Sequence, residues 1–222
     1  MNNTCVIIVA AGAGKRMKSY GSKSLLQLED GRTLLRKQLD TIRLSLNKPE
    51  IITVLGFDAE KIFKTLPDGI RAVENEHYLN TGVARSILMG LRASTAKKNI
   101  IVYGDLLFNK ATLKNLPNES CVIIDSTNRM HRNEVGIVLD NNYAVHFDFG
   151  LSPKWCSIVQ LVGRELELFK SIALSNDKKR LSGHEILNHI IDKGGSFKSY
   201  EPKKMKILEI DSNKDLSKSN KI

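Results

Sequence analysis

The stretch Val9-Ala10-Ala11-Gly12-Ala13-Gly14-Lys15-Arg16-Met17 decides how this chain folds. It follows an apolar run at residues 5–9, and Lys23 comes shortly after it. An apolar, β-branched run that ends in small residues and glycine is typical of a buried strand followed by a tight turn. Successive backbone N–H groups in such a turn bind anions, and Lys15, Arg16 and Lys23 add positive charge. The stretch therefore predicts a polyphosphate-binding loop at the end of a core strand.

The spacing of the glycines excludes two common phosphate-binding loops. A P-loop requires a glycine five residues before its Gly-Lys pair and a Ser or Thr after it, but here Val9 and Arg16 occupy those positions. A dinucleotide-binding fingerprint requires a third glycine where Met17 stands. Residues 10–17 fit a different pattern, A-A-G-x-G-x-R-M, which a lysine and an apolar segment follow at residues 23–28.

In this pattern the sequence resembles the nucleoside-triphosphate transferases, which join an NMP group to a phosphorylated small molecule and release pyrophosphate. The resemblance implies an α/β fold, a three-layer α/β/α Rossmann-like nucleotidyltransferase fold with a mixed, mostly parallel sheet. An ordinary strand-to-helix turn with solvent-facing basic residues is the alternative, and the number of matching positions argues against it.

Composition sets the broad class of the protein. The 222 residues, of which 41% are hydrophobic and 26% charged, suit one globular α/β domain, and we expect residues 1–222 to form it. No apolar stretch has the length of a membrane span, and residues 1–4 lack the layout of a signal peptide. The three cysteines show neither a disulfide framework nor metal-ligand spacing, so we expect a cytoplasmic protein without a membrane partner.

The formal net charge of +10 has two interpretations. Nucleic-acid binding is one, but the Lys and Arg residues are spread along the chain and only 6% of residues are aromatic. Attraction of anionic substrates is the other, and it favours a nucleotide and a phosphorylated acceptor as partners. Nucleic acid is therefore an unlikely principal partner.

Strand and helix patterns alternate in the first half of the chain. They predict strands at residues 5–9, 25–28, 51–55, 70–73 and 100–103, and helices at 33–46, 58–66 and 83–93. This alternation indicates βαβ crossovers, with a ligand crevice at the carboxyl ends of the strands, where the glycine loop and Asp105 both lie.

The second half has a different pattern. Strands at residues 122–124, 135–139, 143–147, 155–162, 197–200 and 207–211 and helices at 164–174 and 184–193 indicate an antiparallel, hairpin-like region. We expect the polar tail, residues 212–222, to fray.

Two aspartates that follow apolar strands are candidate metal ligands. Asp105 ends the run at residues 100–104, and Asp211 ends the run at residues 207–210. Carboxylate oxygens suit a hard cation such as Mg²⁺. The resemblance implies that these two residues jointly hold the metal, and Asp125 is a weaker candidate. Aspartates also end strands as turn formers or helix caps, so each position has a structural alternative.

Cationic residues of the first loop are the candidate catalytic groups. The attacking acceptor phosphate is already ionised, so nucleotidyl transfer depends on positioning and charge neutralisation rather than on a strong base. The resemblance implies that Arg16 contacts the β- and γ-phosphates and that Lys23 lies near the α-phosphate. The implied nucleotide-binding residues in this loop are Ala10, Ala11, Gly12, Ala13, Gly14 and Lys15.

The loop and helix at residues 81–91 are similar to the nucleoside-reading segment of the cytidylyltransferases. In those enzymes a glycine before the helix and a serine in its first turn lie against the cytosine, and Gly82 and Ser86 match these positions. The N-x-x-Y run at residues 75–78 resembles that of bacterial phosphocholine cytidylyltransferases. CTP is therefore the preferred donor, with UTP, GTP and dTTP left open. An ordinary amphipathic core helix is the structural alternative for residues 83–91.

The acceptor is the least constrained part of the prediction. The polar run at residues 125–134 contains Arg129 and Arg132, which can clamp a phosphate or simply lie in a solvated loop. Trp155, with Asp148 and Phe149 nearby in sequence, can cage a quaternary ammonium group or belong to the core. We interpret the five histidines as structural.

The sequence thus predicts a Mg²⁺-dependent nucleotidyltransferase that transfers an NMP, CMP from CTP by preference, to a phosphorylated or phosphonate small molecule. The alternatives are a sugar-1-phosphate or molybdenum-cofactor nucleotidyltransferase, a nucleotide-binding regulatory domain that has lost its transfer chemistry, and a basic nucleic-acid-binding protein. The sequence does not assign an oligomeric state.

Overall fold

The computed structural model describes residues 3–13, 21–127 and 131–222. Eleven strands and six α-helices lie in these ranges. The strands are β1 (Thr4–Val9), β2 (Glu50–Leu55), β3 (Arg71–Glu74), β4 (Lys98–Tyr103), β5 (Leu106–Phe108), β6 (Cys121–Asp125), β7 (Val135–Asp140), β8 (Tyr143–Phe149), β9 (Lys154–Val162), β10 (Lys198–Tyr200) and β11 (Ile207–Glu209). The helices are α1 (Leu34–Ser45), α2 (Ala59–Phe63), α3 (Val83–Ala93), α4 (Gly163–Leu174), α5 (Gly183–Asp192) and α6 (Asn213–Leu216). Among these described helices none has the length and apolar character needed to cross a bilayer.

Nine of the strands form one mixed sheet, in the order β3-β2-β1-β4-β9-β6-β10-β8-β7. The first four strands of this order are parallel to one another, and β10 is parallel to β6. The strands β8 and β9 run opposite to the other seven. The predicted mixed sheet is confirmed. As the sequence predicts, its parallel strands β1–β4 come from the first half of the chain, and its β7–β8 hairpin comes from the second half.

Helices cover both faces of the sheet and make three layers. On β1, Cys5 and Ile7 belong to the apolar cluster formed with α3, α4 and α5, whereas Val6 and Ile8 belong to the cluster formed with α1 and α2. A strand buried on both faces requires apolar residues at successive positions, which explains the unbroken run at residues 5–9. The predicted three-layer α/β/α architecture is confirmed.

The strand order reverses direction at β1. From β1 the chain continues to β2 and β3 on one side, and it then returns to place β4 on the other side. Ligands of open α/β sheets bind at the carboxyl ends of strands at such a switch point. The ends of β1 and β4 are in close contact here, since the Gly104 amide donates to the Val9 carbonyl at 2.9 Å. A Cβ atom at Gly104 would lie only 2.8 Å from that oxygen, so this position requires glycine.

A separate two-stranded antiparallel sheet, β5 with β11, lies beside this switch point. Leu106 at the start of β5 pairs with Glu209 at the end of β11. The amide of Ile210 then donates to the Asp105 carbonyl at 2.8 Å. This pairing brings two segments about a hundred residues apart in sequence to the same edge of the molecule. The sequence analysis did not predict β5.

Two local predictions are wrong. Residues 25–28 do not form a strand: Lys23–Leu25 is a 3-10 turn, and Gln27 makes only one bridge, with Thr33. The turn is favoured because the Ser22 hydroxyl caps it. The tail does not fray as predicted, because its apolar side chains pack against the segment that follows Lys23. This cluster comprises Leu26, Leu28, Leu34, Leu107, Leu208, Ile210, Leu216 and Ile222.

Candidate active site

Three carboxylates meet where β5 and β11 pair. One oxygen from each of Asp105, Glu209 and Asp211 lies within 4.8 Å of the other two. The antiparallel pairing explains this convergence, because it sets the residue before β5 next to the residues that end and follow β11. Clustered carboxylate oxygens are the donor set that a hard divalent cation prefers, so the three residues fit such an ion.

Lys23 completes this group of charges. Its Nζ donates to Asp211 Oδ1 at 2.6 Å and to Asp105 Oδ2 at 3.3 Å, and its side chain is only 14% exposed. Burial lowers the pKa of this ammonium, but the two aspartates outweigh burial and raise the pKa overall. Lys23 is therefore positively charged. Three residues singled out from the sequence, far apart along the chain, are brought into direct contact.

Glu209 is a member of the cluster that the sequence analysis missed. Burial, and then the charges of Asp105 and Asp211, raise its pKa to about 7. The signal for this residue is its spacing: Glu209 stands two residues before Asp211, and residues two apart in an extended segment point to the same side. A second lysine, Lys154, lies with its Nζ 3.8 Å from Glu209 Oε2 and also pairs with Glu134.

A cleft at the switch point adjoins these charges. Its lining combines residues from the end of β1, the Lys23 turn, α3 and the end of β4. They include Ala10, Ala11, Gly12, Ser22, Lys23, Tyr78, Thr81, Gly82, Ser86, Tyr103 and Asp105. A Cβ atom at Gly12 would meet nothing within 4 Å, so the space beside this glycine is free in the described part of the chain.

Not all of the first-loop residues predicted to bind the nucleotide can be placed in the cleft. Ala13 follows Gly12 but is not among the described residues that line the cleft. Gly14, Lys15 and Arg16 lie outside the described residues, so their predicted roles stay predictions.

The α3 side of the cleft is held in place by Asn75. This buried side chain donates from Nδ2 to Ser86 Oγ at 2.9 Å and to Thr81 Oγ1 at 3.0 Å, and its Oδ1 accepts from the His77 amide at 3.1 Å. Asn75 thus orients the Ser86 hydroxyl in the wall of the cleft. The N-x-x-Y pattern at residues 75–78 includes Asn75, but it did not predict that Asn75 orients the Ser86 hydroxyl.

Gly82 lines the cleft and also packs against the second half of the chain. Its amide donates to the Lys179 carbonyl at 2.8 Å, and a Cβ atom would lie 2.2 Å from the Leu181 carbonyl oxygen. Glycine is required there by close backbone contact, whatever its relation to a ligand.

Tyr103, the last residue of β4, also lines the cleft. Its ring packs edge-on against Trp155 with centroids 5.8 Å apart, and burial, Asp105 and Glu209 together raise the pKa of its phenol. The hydroxyl makes no hydrogen bond within the described ranges. It lies directly against Gly183 at the start of α5, where a Cβ atom would come within 1.8 Å of it.

The candidate acceptor residues of the second half do not converge on the cleft. Trp155 is buried, and its Nε1 donates to the Ile158 carbonyl, so it belongs to the core rather than to a cage. Asp125 accepts from the amide and hydroxyl of Thr127 and stands apart from the three clustered carboxylates. Arg132 is exposed, and Arg129 lies outside the described residues.

Comparison with known proteins identifies the family. Residues 6–137, more than half of the chain, match the model of the MobA-like NTP transferase domain. The chain belongs to this family. The matched segment contains the cleft-lining ends of β1 and β4 and the α3 wall, so the MobA-like NTP transferase core includes the cleft but not Glu209 or Asp211.

Relatives of this MobA-like chain include two bifunctional GlmU proteins. That of Psychrobacter sp. is 38% identical over 119 residues, which are 52% of this chain and 26% of the relative. That of Limosilactobacillus fermentum is 34% identical over 152 residues, which are 62% of this chain and 33% of the relative. The match therefore spans only a quarter to a third of the length of these relatives.

Solved structures show the same fold. The inositol-1-phosphate CTP transferase from T. maritima superposes with a TM-score of 0.79 at 20% identity, covering 99% of this chain and 96% of that one. The CTP:phosphocholine cytidylyltransferase LicC of Streptococcus pneumoniae gives a TM-score of 0.79 at 18% identity, covering 99% and 98%. A glucose-1-phosphate thymidylyltransferase described as putative, from Bacillus anthracis, gives a TM-score of 0.80 at 14% identity, covering 98% and 94%. The predicted nucleotidyltransferase fold is confirmed.

Proposed function

We propose that this protein transfers CMP from CTP to a phosphorylated or phosphonate small molecule, depends on Mg²⁺ and releases pyrophosphate. The observation that carries the proposal is the contact of Lys23 with both Asp105 and Asp211 at the edge of the switch-point cleft. In this proposal residues 1–222 act as one nucleotidyltransferase domain that works in the cytoplasm.

The reaction needs positioned charge more than proton transfer. An ionised oxygen of the acceptor attacks the α-phosphorus of CTP, a new P–O bond forms, the bond to the β-phosphate breaks, and pyrophosphate leaves with its electron pair. Lys23, buried beside the two aspartates, stabilises the negative charge that develops on the α-phosphoryl oxygens. Mg²⁺ held by Asp105 and Asp211, with Glu209 as a third carboxylate, would supply further positive charge to the phosphates.

The rest of the cleft binds the nucleotide in this proposal. Backbone amides at residues 11–13, together with the predicted contributions of Gly14, Lys15 and Arg16, hold the triphosphate, whereas the Ala10 amide already donates to the Val54 carbonyl. Gly82 and Ser86 lie on the opposite wall, where Asn75 fixes the hydroxyl that faces the nucleoside. Two similar structures are named as CTP-using transferases, which supports the preference for CTP.

A second candidate is transfer of a nucleotidyl group to a sugar 1-phosphate. The putative glucose-1-phosphate thymidylyltransferase superposes with a TM-score of 0.80, as well as the two CTP-using transferases do at 0.79, and this favours it. Both candidate functions use the same charged residues at the α-phosphate. They differ in the base of the nucleotide and in the acceptor substrate. A panel of substrates therefore separates them.

Pyrophosphate release tests the proposal. Each of CTP, UTP, GTP, dTTP and ATP is incubated with phosphocholine, 2-aminoethylphosphonate, inositol 1-phosphate or glucose 1-phosphate, with Mg²⁺ and with chelator. We expect metal-dependent release, greatest with CTP, and a loss of about a hundredfold or more for Lys23→Ala or Asp105→Asn, as is typical when one charge-stabilising group is removed.

The control is Lys37→Ala, on α1, which breaks the ion pair of Lys37 with Asp30; neither residue lines the cleft. We expect it to keep wild-type activity. If wild type releases no pyrophosphate with any pair of substrates, the catalytic proposal is wrong, and a nucleotide-binding regulatory domain becomes the better interpretation. If release is greatest with UTP and glucose 1-phosphate, the second candidate is correct.

A further inference from the structure

The carboxylate cluster has two sides, and each carries one lysine. Asp105 and Lys23 face the switch-point cleft and line it. Glu209 faces Lys154, whose Nζ is 3.8 Å from Glu209 Oε2, and neither of these two residues lines that cleft. Lys23 therefore pairs with the two aspartates of the cluster, and Lys154 lies beside its glutamate.

Lys154 comes from a different part of the fold than Lys23. It is the first residue of β9, where it pairs in register with Asp125 of β6 and with Gly136 of β7. Its ammonium is held by Glu134 and its side chain is only 20% exposed. Such a partly buried, anchored cation loses little conformational entropy when an anion binds to it.

Space is available on this second side. A groove is lined by Asp125, Thr127, residues 201–207 and Ile222. Lys154 does not line it, but its register partner Asp125 does. Ile207 lines the same groove and stands two residues before Glu209 on β11. The groove is thus adjacent to the pair formed by Lys154 and Glu209 and distinct in its lining from the cleft at the switch point.

We propose that Lys154 binds the phosphate or phosphonate group of the acceptor. The inference rests on the proposed function, in which two anionic substrates must meet at one phosphorus atom and so require separate sources of positive charge. Lys23 serves the nucleotide from the cleft side. Lys154, with Glu134 as the positioning residue that orients its ammonium, serves the acceptor from the groove side.

The kinetic test separates the two substrates. With the most active pair from the panel, Lys154→Ala raises the KM for the acceptor by about tenfold or more, the effect of losing one charge-assisted hydrogen bond. In the same variant, the KM and the dissociation constant for the nucleotide differ from the wild-type values by less than about threefold. Lys154→Arg restores part of the loss, and Glu134→Gln causes a smaller loss than Lys154→Ala. Lys198→Ala, which breaks the exposed ion pair with Glu119, is the matched control and leaves both constants unchanged.

A binding measurement keeps this test independent of turnover. Inorganic phosphate is titrated calorimetrically into the Mg²⁺-saturated wild-type protein and the Lys154→Ala variant. Binding by wild type that is weakened about tenfold or more in the variant supports the proposal, even if no acceptor in the panel is active and the proposed function fails. The proposal is wrong if both proteins bind phosphate equally well, or if neither binds it. It is also wrong if Lys154→Ala raises the KM for the acceptor and the KM for the nucleotide by the same factor.

Discussion

Glycine serves two different purposes at the ends of the first and fourth strands. At Gly104 a side chain is excluded by the protein itself, because a Cβ atom would lie 2.8 Å from the Val9 carbonyl oxygen and 3.0 Å from Ala10 Cα. At Gly12 nothing in the described chain lies within 4 Å of that position. In the proposed function, a bound triphosphate would give the reason for glycine at the second site, because its oxygens would approach the backbone closely.

This difference gives a prediction with an internal control. Gly104→Ala lowers the free energy of unfolding by about 2 kcal/mol, as overpacking does, whereas Gly12→Ala changes it by less than about 0.5 kcal/mol. Gly12→Ala instead weakens nucleotide binding by about tenfold, the effect of losing one amide–phosphate hydrogen bond. Chemical denaturation and equilibrium nucleotide binding measure the two effects. A Gly12→Ala protein that binds CTP as well as wild type does would remove this loop from the proposed site.

Single residues also show how far the sequence predicts the site. Lys23, Asp105 and Asp211 could be predicted because each stands next to an apolar segment or a glycine, in a pattern known from nucleotidyltransferases. For Glu209 the sequence offers only the two-residue spacing from Asp211, and for Lys154 it offers no comparable signal, so neither was chosen in the same way. Only the pairing of β5 with β11 and the start of β9 bring these two side chains to within 3.8 Å of each other.

Among the secondary-structure elements, the long amphipathic helices were predicted well. The helix predicted at residues 83–93 is α3 with the same bounds, and Thr33 caps α1 by accepting from the Arg36 amide. The strand β5 was missed because three apolar residues carry no periodicity, and it exists only through its partner β11, about a hundred residues away. The pairing of β5 with β11 positions Asp105 beside Asp211. The sequence pattern therefore did not predict the pairing on which the site most depends.

The start of α5 gives a prediction at the level of an element. The Ser182 hydroxyl accepts from the Glu185 amide, and the Glu185 carboxylate accepts from the Ser182 amide, which makes a capping box. Ser182→Ala lowers the free energy of unfolding by about 1 kcal/mol, measured by urea denaturation at pH 7. A loss below about 0.3 kcal/mol, near the level at which a cap contributes nothing, would contradict this assignment.

The same cap predicts a pH dependence. The hydrogen bonds from the backbone amide and then the side chain of Ser182 lower the pKa of Glu185 in the folded protein. A lowered pKa stabilises the fold above the unfolded-state pKa of about 4.3, and this contribution is lost as the pH falls through the lower folded-state pKa. We therefore expect the stability difference between wild type and Glu185→Gln to shrink below about pH 4. A stability difference that stays constant from pH 7 down to about pH 3 would contradict this assignment.

At the level of the whole molecule, the strand order explains why the site lies where it does. The parallel block β3-β2-β1-β4 creates the switch-point cleft, and the second half of the chain adds β11 and β9, which carry Glu209 and Lys154 to its edge. The matched family domain, residues 6–137, contains the cleft but not Asp211. The complete cluster of charges therefore requires both halves of the chain, and the net charge of +10 favours the approach of two anionic substrates.

A crystal structure of the protein with CTP and Mg²⁺ tests the central claim most directly. We expect the triphosphate to lie against residues 10–12, a metal ion to be ligated by Asp105 and Asp211, and Lys23 Nζ to lie within hydrogen-bonding distance of an α-phosphate oxygen. A nucleotide bound outside the switch-point cleft, or a metal ion ligated by neither aspartate, would contradict the account.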